Sequence, residues 1–381
     1  AYQVTRRWPN RSVQIFEKEA EVGLHQSGRN SGVLHSGIYY KPGSLKAKNS
    51  RTGKLAMEQF CRAQELPFEI CGKVIVAVDE RELATLDQIF ERGQANGVAC
   101  QRIGAERLHE LEPHAAGVAA IHVPETGIVD FLQVCQRLAE LVQQAGGEVR
   151  TESRVNGIER EQNQFVVESS SGTYRVNALI NCAGLYSDRM TALAGLRPLA
   201  RIVPFRGEYY ELKPAAHHLC RNLIYPVPDP KFPFLGVHFT RMITAGVECG
   251  PNAVFAFARE AYRRSQWNAK DCLDALTFPG FLKLAARYWK VGLGEMYRSF
   301  SKRAFVAALQ RLVPEVTDKD LEVGRAGVRA QAVSPDGKMV DDFLIQQEGP
   351  LINVANAPSP AATSALNIGS LITDTLGAVL P

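Results

Sequence analysis

The chain has 381 residues, of which 44 are basic and 40 acidic, so its formal net charge at neutral pH is +4. That length is sufficient for a large core and two domains. The small charge excess argues against a nucleic-acid partner. We expect no signal peptide, and no apolar run approaches the roughly 20 residues of a membrane-spanning helix. Any membrane contact is therefore expected to be peripheral.

The cysteines and most of the histidines show no metal-ligand pattern. The eight cysteines are scattered without Cys-x-x-Cys pairs, which is typical of reduced thiols and lacks the spacing of a zinc site. His109, His114 and His122 are isolated and are interpreted as loop or core residues. We therefore predict no metal centre.

The first elements indicate part of a dinucleotide-binding unit. A helical segment at 1–8 is followed by an apolar strand at 12–16, which ends in Glu17. In such a unit the acid that ends the second strand binds a ribose hydroxyl. An earlier strand and a Gly-x-Gly-x-x-Gly turn are also expected, and neither is present in this sequence. We expect either a truncated start or the loss of this phosphate site.

A glycine-rich loop follows at 25–40. Gly28, Gly32 and Gly37 alternate with serines in this stretch. Glycine lets the backbone pass close to a ligand, and small hydroxyls can hydrogen-bond a phosphate or a polar ring edge. The loop therefore favours a nucleotide cofactor; the alternative is a mobile surface loop.

The next segments alternate between helices and strands. The spacing predicts a helix over 44–64, with Leu45, Leu55, Phe60 and Ala63 buried. The other predicted elements are a strand pair at 68–78, a helix at 80–96, a strand with a short helix at 98–109, a helix at 131–145, strands at 148–151 and 155–159, and a hairpin at 165–176. A buried strand at 178–187 runs into a glycine turn and a helix, and ligands bind at the carboxyl end of such a strand in an open α/β sheet.

The composition changes near 200–322, which indicates a second domain inserted into the first. A strand is predicted at 199–212, an antiparallel sheet at 222–250 and a basic, aromatic helical region at 278–312. The remaining predicted elements are short strands at 327–331, 334–337 and 351–355 and a final helix at 361–376.

Several long stretches resemble one family. The segments 26–48, which includes Gln-Ser-Gly-Arg-Asn-Ser-Gly-Val-Leu-His-Ser-Gly, 204–212, 247–258 and 357–364 are similar to hallmarks of L-2-hydroxyglutarate dehydrogenases/oxidases. This family belongs to the FAD-dependent oxidoreductases typified by D-amino-acid and glycine oxidases. The resemblance implies an α/β (α+β) fold, in which a Rossmann-like FAD-binding domain, here without its first strand and glycine turn, carries an inserted substrate domain built on a mostly antiparallel sheet. The implied FAD-binding domain is 1–66, 126–200 and 323–381, and the implied substrate-binding domain is 67–125 and 201–322.

The resemblance also implies an activity. L-2-hydroxyglutarate would be oxidised to 2-oxoglutarate by hydride transfer to flavin N5, and electrons would pass to a membrane quinone or to oxygen. The implied location is the cytoplasm or the cytoplasmic face of the inner membrane. One rival is an amine or amino-acid oxidase of the same superclass. Another is a flavin-free carboxylate-binding protein, which the missing phosphate turn favours.

The cofactor-binding candidates follow from the same resemblance. Glu17 is expected to bind the adenosine ribose, or to be a surface acid. Val155 is expected to hold adenine through its backbone, or to be a core valine. The N-terminal amides of the last helix are expected to favour the reduced flavin, because a helix N-terminus carries about half a positive charge; the alternative is an ordinary packed helix. The full set is Glu17, Lys18, Arg29, Asn30, Ser31, Gly32, Val155, Ala183, Gly184, Ala361, Ala362 and Thr363.

A hydroxydicarboxylate needs two cationic anchors and one base. Arg329 is the first anchor, because a guanidinium group matches a carboxylate bidentately. The second anchor is Arg206 or Lys41, although each is equally explained as a solvated charge. Histidine suits the base near neutral pH. We favour His238, because the inserted domain is expected to cover the flavin; His35 is the other candidate, or it positions the ring. The hydroxyl-donor candidates are Tyr39, Tyr209 and Tyr225.

The segment 282–303 is both basic and aromatic. A helix of this composition can lie on an anionic bilayer. The alternative is an amphipathic helix that packs on the core and exposes a solvated face.

Overall fold

The structure is a computed structural model and describes residues 1–162, 164–229 and 236–380. These residues form ten α-helices and twenty strands in five sheets. The helices are α1 (Tyr2–Arg7), α2 (Leu45–Ala63), α3 (Leu83–Ala95), α4 (Ala105–Leu111), α5 (Phe131–Gln144), α6 (Ser187–Leu193), α7 (Ala269–Leu276), α8 (Pro279–Phe300), α9 (Lys302–Leu309) and α10 (Ala365–Gly377). The first ten strands are β1 (Gln14–Phe16), β2 (Val33–Leu34), β3 (Phe68–Glu69), β4 (Lys73–Ala77), β5 (Gln101–Gly104), β6 (Ala119–Val123), β7 (Gly127–Val129), β8 (Glu148–Arg150), β9 (Val155–Glu161) and β10 (Gln164–Ser169). The others are β11 (Gly172–Val176), β12 (Leu179–Asn181), β13 (Arg201–Leu212), β14 (Leu223–Pro226), β15 (His238–Arg241), β16 (Val247–Gly250), β17 (Val254–Phe255), β18 (Leu321–Val333), β19 (Leu344–Glu348) and β20 (Leu351–Asn356).

Two small sheets contain the parallel pairs that a nucleotide-binding fold uses. β1 pairs with β8 in parallel, and β12 pairs with β20 in parallel, with β19 antiparallel on the other side of β20. The predicted hairpin is β10–β11, and β9 extends it to three antiparallel strands. These sheets and the helices around them confirm the predicted mixed α/β class.

The largest sheet has nine strands, with the path β17-β13-β16-β15-β14-β4-β6-β5 and with β18 beside β13. Its pairs are antiparallel except for β14 with β4. The antiparallel sheet predicted at 222–250 is confirmed for β14, β15 and β16; positions 230–235 lie outside the described residues. One face of this sheet packs on α9 in an apolar core that includes Ile224, Phe239, Tyr210 and Phe305.

Helix α2 buries a different face from the predicted one. Its N-cap, Ser44, accepts a hydrogen bond from the Ala47 amide. Phe60 is buried, but Leu45 and Leu55 are 46% and 53% exposed, and Ala63 is also exposed, so three of the four burial predictions were wrong. The buried face instead carries polar and small residues, including Asn49, Ser50, Gly53 and Lys54, and hydrophobic periodicity does not detect such a face.

Two further elements differ from the predictions near the end of the chain. The short strand at 327–331 is the middle of β18, which pairs with β13 from Leu321 to Val333. The final helix begins at Ala365 rather than at 361. Residues 360–364 form a separate turn in which the Ser364 amide donates to the Pro360 carbonyl. Among the described residues no helix combines the length and apolar character needed to cross a bilayer.

The close contact between α2 and the turn before α10 predicts a stability effect. A Cβ added at Gly53 would lie 2.6 Å from the Ser364 Cα, which cannot move without shifting the backbone. We expect Gly53→Ala to lower the free energy of unfolding by about 1–3 kcal/mol through overpacking. Gly292→Ala in α8 is the matched control, because nothing lies within 4 Å of its added Cβ, and it should raise stability by about 0.5–1 kcal/mol. Urea unfolding measures both; a Gly53→Ala variant as stable as Gly292→Ala would contradict the packing argument.

Candidate active site

The glycine-rich loop and the end of the chain meet at Thr363. This side chain is buried, and its hydroxyl donates to the Val33 carbonyl and accepts from the His35 amide, both at 3.2 Å. Ser50 in α2 donates to the His35 carbonyl at 3.3 Å. The loop is therefore fixed from two sides, and His35 is held at the junction.

Asn30 gives the loop its internal shape. Its side-chain amide donates to the carbonyls of Gln26 and Ser27, at 3.0 and 2.6 Å, and its Oδ1 accepts from the Gly32 amide at 2.9 Å. Gly32 has φ +66°, and a Cβ there would lie 2.5 Å from the Val129 carbonyl. Both conditions require glycine at this position. Asn30 therefore shapes the loop through contacts within the chain.

The remaining cofactor candidates lie in three places. Glu17 ends β1, and one of its carboxylate oxygens accepts from the Glu19 amide at 2.9 Å. Ala183 is exposed just beyond the carboxyl end of β12, and Gly184 has φ +52° with a Cβ position only 2.8 Å from the Gln26 Oε1. The strand end therefore contacts the glycine-rich loop. Val155 begins β9 and is half-buried beside Ser169.

The structure places Lys18 in an ion cluster. Its ammonium lies 2.6 Å from Glu260 and 3.0 Å from the His25 Nε2, and it also contacts Glu19. Glu19, His25 and Glu260 have the donor atoms of a metal site, and the Lys18 ammonium lies among them. Lys18 is therefore held by this ion cluster, and its role at the cofactor stays a prediction.

Arg29, Ala361 and Ala362 are three further residues of the predicted cofactor set. Arg29 stacks on the Tyr262 ring, with its guanidinium carbon 4.0 Å from the ring centroid, and donates to the Leu24 carbonyl at 3.0 Å. Ala361 and Ala362 precede α10 instead of forming its first turn. The argument from a helix N-terminus therefore does not apply to their amides.

The second face of the nine-stranded sheet, here called the polar face, carries polar side chains among apolar ones such as Ile75 and Leu223, and its composition follows from strand register. Residues two apart on a strand share a face, as do cross-strand partners. Ile75 pairs with Tyr225, Thr240 with Leu223, and Phe205 with Arg329. Following these pairs across the sheet places five chemically active side chains on this one face: Lys73, Tyr209, Tyr225, His238 and Arg329.

His238 lies near the middle of this polar face. Its Nδ1 is 2.9 Å from the Gly236 carbonyl, and its ring lies against that of the fully buried Tyr225, with the ring centroids 4.0 Å apart and the planes tilted by 34°. Because a carbonyl only accepts hydrogen bonds, Nδ1 carries the proton and Nε2 keeps its lone pair. Burial lowers the pKa of His238 to about 4, and the Arg329 and Lys73 charges add to this effect. The imidazole is therefore neutral near pH 7.

His35 faces the same cluster from the loop. Burial lowers its pKa to about 3, with contributions from the charges of Lys73, His238 and Lys46. Its Nε2 lies 3.5 Å from the Ser359 hydroxyl. The two histidines predicted from the sequence thus lie close enough to influence each other. Ser31 in the same loop hydrogen-bonds Tyr225, whose pKa burial raises.

Arg329 occupies one end of the polar face. It donates to the Asn252 carbonyl at 3.3 Å, and burial lowers its pKa. Burial also raises the pKa of the neighbouring Tyr209 to about 12, against the opposing effect of the Arg329 charge. Gly207 lies on the same face, and a Cβ there would be 3.5 Å from the guanidinium. A side chain at position 207 would therefore contact this guanidinium.

Neither predicted second anchor joins the cluster. Arg206 pairs with Val328, so it lies on the opposite face from Arg329. It is buried, and its Nε and Nη2 donate to Glu208 at 3.1 and 2.9 Å. Strand alternation explains this error, because one residue separates the two faces. Lys41 is exposed at the surface, whereas Lys46, one turn into α2, is buried with its ammonium 3.0 Å from Asp341.

Lys73 is the residue that sequence reasoning missed. It is 2% exposed, and its ammonium lies 4.6 Å from the Tyr39 ring centroid and 4.8 Å from that of Tyr225. Burial lowers its pKa to about 7. One feature of the sequence could have identified it: a lysine is the first residue of an otherwise apolar, fully buried strand, Lys-Val-Ile-Val-Ala. Such a lysine is rare without a partner or a function.

A cavity of about 340 Å³ lies beside the glycine-rich loop, between Ser27–Gly32 and the β15–β16 turn. Glu248 lines it, and burial raises the pKa of this carboxyl to about 7. Neither His35 nor His238 is among the lining residues. The cavity therefore borders the loop on a different side from the histidine cluster.

Comparison with known proteins agrees with this architecture. A family described as FAD dependent oxidoreductase matches residues 1–375. The L-2-hydroxyglutarate dehydrogenase of Indibacter alkaliphilus is 50% identical over 97% of this chain and 93% of its own length. The human mitochondrial L-2-hydroxyglutarate dehydrogenase is 43% identical over 97% of this chain and 83% of its own length. An L-alpha-glycerophosphate oxidase from Mycoplasma pneumoniae, solved with FAD bound, superposes with a TM-score of 0.74 at 23% identity, covering 96% of this chain and 88% of that one.

The similarity to the glycerophosphate oxidase structure concerns the fold alone. The family match and the two dehydrogenases concern common descent. The family match spans nearly all of the described helices and strands. The relatives retain high identity over nearly their whole length. The chain belongs to the family of FAD-dependent oxidoreductases.

Proposed function

We propose that this protein oxidises L-2-hydroxyglutarate to 2-oxoglutarate with FAD as its cofactor. The observation that carries the proposal is the polar sheet face, which gathers a guanidinium and a neutral histidine opposite the glycine-rich loop. We propose this substrate because it appears in the names of relatives that are 42–50% identical over nearly the full chain.

The residues around the loop fit a flavin dinucleotide. Ala183 is exposed just beyond the carboxyl end of the parallel strand β12, and the next residue, Gly184, lies beside Gln26 of the glycine-rich loop. Ligands bind at such strand ends in open α/β sheets. The residues proposed to hold FAD are Glu17 at the ribose, Val155 at adenine, and Arg29, Asn30, Ser31, Gly32, Ala183, Gly184, Ala361, Ala362 and Thr363 along the remainder. When bound, FAD accepts the hydride of the substrate C2–H bond at N5 and thereby two electrons.

The protein contributes the base. Loss of hydride from C2 must be accompanied by loss of the hydroxyl proton, which leaves the 2-oxo acid. His238 is our proposed base, because its Nδ1 is held by the Gly236 carbonyl and its Nε2 lone pair is available. His35, fixed through its backbone by Thr363 and Ser50, is proposed to position the reacting group. Arg329 is proposed to hold the carboxylate next to the carbinol, since its fork matches a carboxylate.

The reaction and its nearest rival are separated by a substrate panel. The purified protein with FAD should be assayed anaerobically with L-2-hydroxyglutarate, its D-enantiomer, glycine, sarcosine and D-alanine. We expect bleaching of the flavin absorbance by L-2-hydroxyglutarate alone, because a neutral histidine base and an arginine anchor suit a hydroxy acid. Preferential bleaching by an amine would favour an amino-acid oxidase. Absence of flavin binding would favour a carboxylate-binding protein.

Substitution of the two histidines distinguishes their roles. His238→Asn should lower the rate of flavin bleaching by L-2-hydroxyglutarate at least about 100-fold, because the proton acceptor is lost. His35→Asn should have a smaller effect on this rate. Because the pKa of His238 is lowered to about 4, the acid limb of kcat/KM should lie well below pH 6.5.

The exposed His109 provides the control, and His109→Asn should leave the rate unchanged. The opposite order of the two effects, with His35→Asn the slower variant, would assign the base to His35 instead.

Helix α8 supports the proposal of a membrane contact. Its backbone departs from helical geometry at Tyr288. Beyond this kink the exposed apolar side chains recur at intervals of four, four and three residues, which places them on one helical face. They are Trp289, Leu293, Tyr297 and Phe300, with exposures of 56–71%, and Leu282 lies before the kink. The opposite face, which includes Phe281, Leu284 and Glu295, is buried in the protein. An ordinary surface helix would be polar on the outer face.

Basic residues flank this apolar stripe. Lys283, Arg287 and Lys290 are exposed, and the acid of the helix, Glu295, is buried beside Arg298. Anionic lipid attracts such residues while the aromatic side chains enter the interface. We propose that α8 docks on an anionic bilayer, where a membrane quinone would receive the electrons. We propose the cytoplasmic face of the inner membrane as the location of the protein.

Vesicle binding tests the docking surface. Wild-type protein should co-sediment with vesicles of phosphatidylglycerol and much less with phosphatidylcholine alone. The double variant Trp289→Ser/Leu293→Ser should lose most of this binding, because it removes two anchors from the apolar stripe. Leu199→Ser, which changes an apolar side chain of similar exposure outside the helix, should bind as wild type does. Equal pelleting of all three proteins would contradict docking through α8.

The division into domains is also a proposal. We assign 1–66 and 126–200 to the FAD-binding domain and 67–125 and 201–322 to the substrate domain. β18 pairs with β13, which belongs to the substrate domain. We therefore move the boundary between the substrate domain and the last segment of the FAD-binding domain from 323 to the end of β18 at Val333.

A further inference from the structure

We propose that Lys73 and Tyr39 form the subsite that binds the distal carboxylate of the substrate, and that this subsite makes the enzyme selective for 2-hydroxydicarboxylates. The inference rests on the proposed function and adds a residue that neither the sequence patterns nor the relatives' names assign.

The environment of Lys73 indicates a missing anion. The side chain is 2% exposed, yet within the described part of the chain no carboxylate comes within ion-pair distance of its ammonium. Its contacts are instead the faces of the Tyr39 and Tyr225 rings. Cation–π contacts compensate only part of the desolvation of a buried ammonium. A ligand carboxylate would supply the counter-charge.

Tyr39 supplies an independent observation at the same place. Its hydroxyl oxygen is buried and has no hydrogen-bond partner among the described residues. A buried, unsatisfied hydroxyl costs stability, and here it belongs to the ring beneath the Lys73 ammonium. The phenol stays protonated because burial raises its pKa. It is therefore a donor, and a carboxylate oxygen is a matching acceptor.

Lys73 and Arg329 lie on either side of His238 in the sheet. β4 and β18 lie on opposite sides of β15 in the strand order, so Lys73 and Arg329 approach His238 from opposite directions. Both cations influence the His238 pKa. The carbon chain between two carboxylates of a five-carbon diacid spans about 5 Å. In this proposal the carbinol lies near the histidine, and the two carboxylates of the substrate point towards the two cations.

This subsite has a defined pH dependence. Tyr39 from the loop, Tyr225 from β14, His238 from β15 and His35 from the loop face Lys73. Of these groups, only Lys73 has a pKa near neutrality, lowered to about 7 by burial. The ammonium is charged below that pKa and loses its charge above it. Diacid affinity of the free enzyme should therefore fall as pH rises above about 7.

The test compares Lys73→Met and Lys73→Arg with wild type on two substrates. One substrate is L-2-hydroxyglutarate, and the other is the same molecule with its distal carboxylate replaced by an amide. We expect wild type to prefer the diacid, and Lys73→Met to lose roughly 10- to 100-fold of this preference through KM rather than kcat. Inhibition by glutarate should weaken in parallel. Lys73→Arg should retain the preference and extend it to higher pH.

Two controls keep the result interpretable. Lys319→Met removes an exposed lysine and should not change the preference. Thermal unfolding of Lys73→Met should be unchanged or shifted upward, because a desolvated charge is removed; a purely structural Lys73 would give a lower melting temperature. A Lys73→Met enzyme that still prefers the diacid would overturn the subsite alone. A wild-type enzyme that oxidises neither substrate would overturn the proposed function.

Discussion

The hydroxyl of Thr363 is the contact on which the arrangement of the site depends. It joins the loop that carries His35 to the turn before the last helix, across about 330 positions of sequence. The group is buried, and both its donor and its acceptor roles are used, so valine in its place would leave two backbone groups unsatisfied. The proximity of Gly53 to Ser364 brings α2 into the same junction. Loop, helix and chain end are therefore positioned together.

In the nine-stranded sheet, side chains that alternate along each strand lie on opposite faces, so that one face serves packing and the other carries the residues of the site. One face is packed with aliphatic and aromatic residues against α9, including Ile224, Phe239 and Phe305. The next residue along each strand points to the other face, where His238, Tyr225 and Arg329 lie. The rigid apolar side thus holds the polar side in position. The same arrangement keeps both histidines neutral, because the polar face is desolvated and contains two cations.

Sequence reasoning predicted the class of fold and most of the elements, because their signals are local: the strand before Glu17, the helix at 131–145 and the glycine-rich loop. It also brought His35 and His238 into one hypothesis. It did not predict which face of a strand each residue occupies. The predicted anchor Arg206 therefore proved to lie on the face opposite Arg329. It missed Lys73 because a buried, unpaired lysine contradicts the general rule that places lysine at the surface. The buried face of α2 was missed for a related reason, since it is formed by polar and small residues.

Asn252 connects features that are distant in sequence. Its carbonyl accepts from Arg329, its side chain bonds Glu208, and the adjacent Ala253 amide donates to Glu295 of α8. The helix with the exposed aromatic stripe and the guanidinium of the polar face are thereby linked through two consecutive residues. Glu208 is further held by Arg264; burial alone would raise the pKa of this carboxyl, and the hydrogen bond from Arg264 helps to lower it.

The burial of Lys73 has an evolutionary consequence. A charged group kept from water weakens the folded state, so under the proposal above we expect substrate binding, and not folding, to maintain a lysine at this position. Laboratory evolution of this chain for heat tolerance alone would be expected to discard the lysine early. The selected variants would be more stable proteins that discriminate less between substrates.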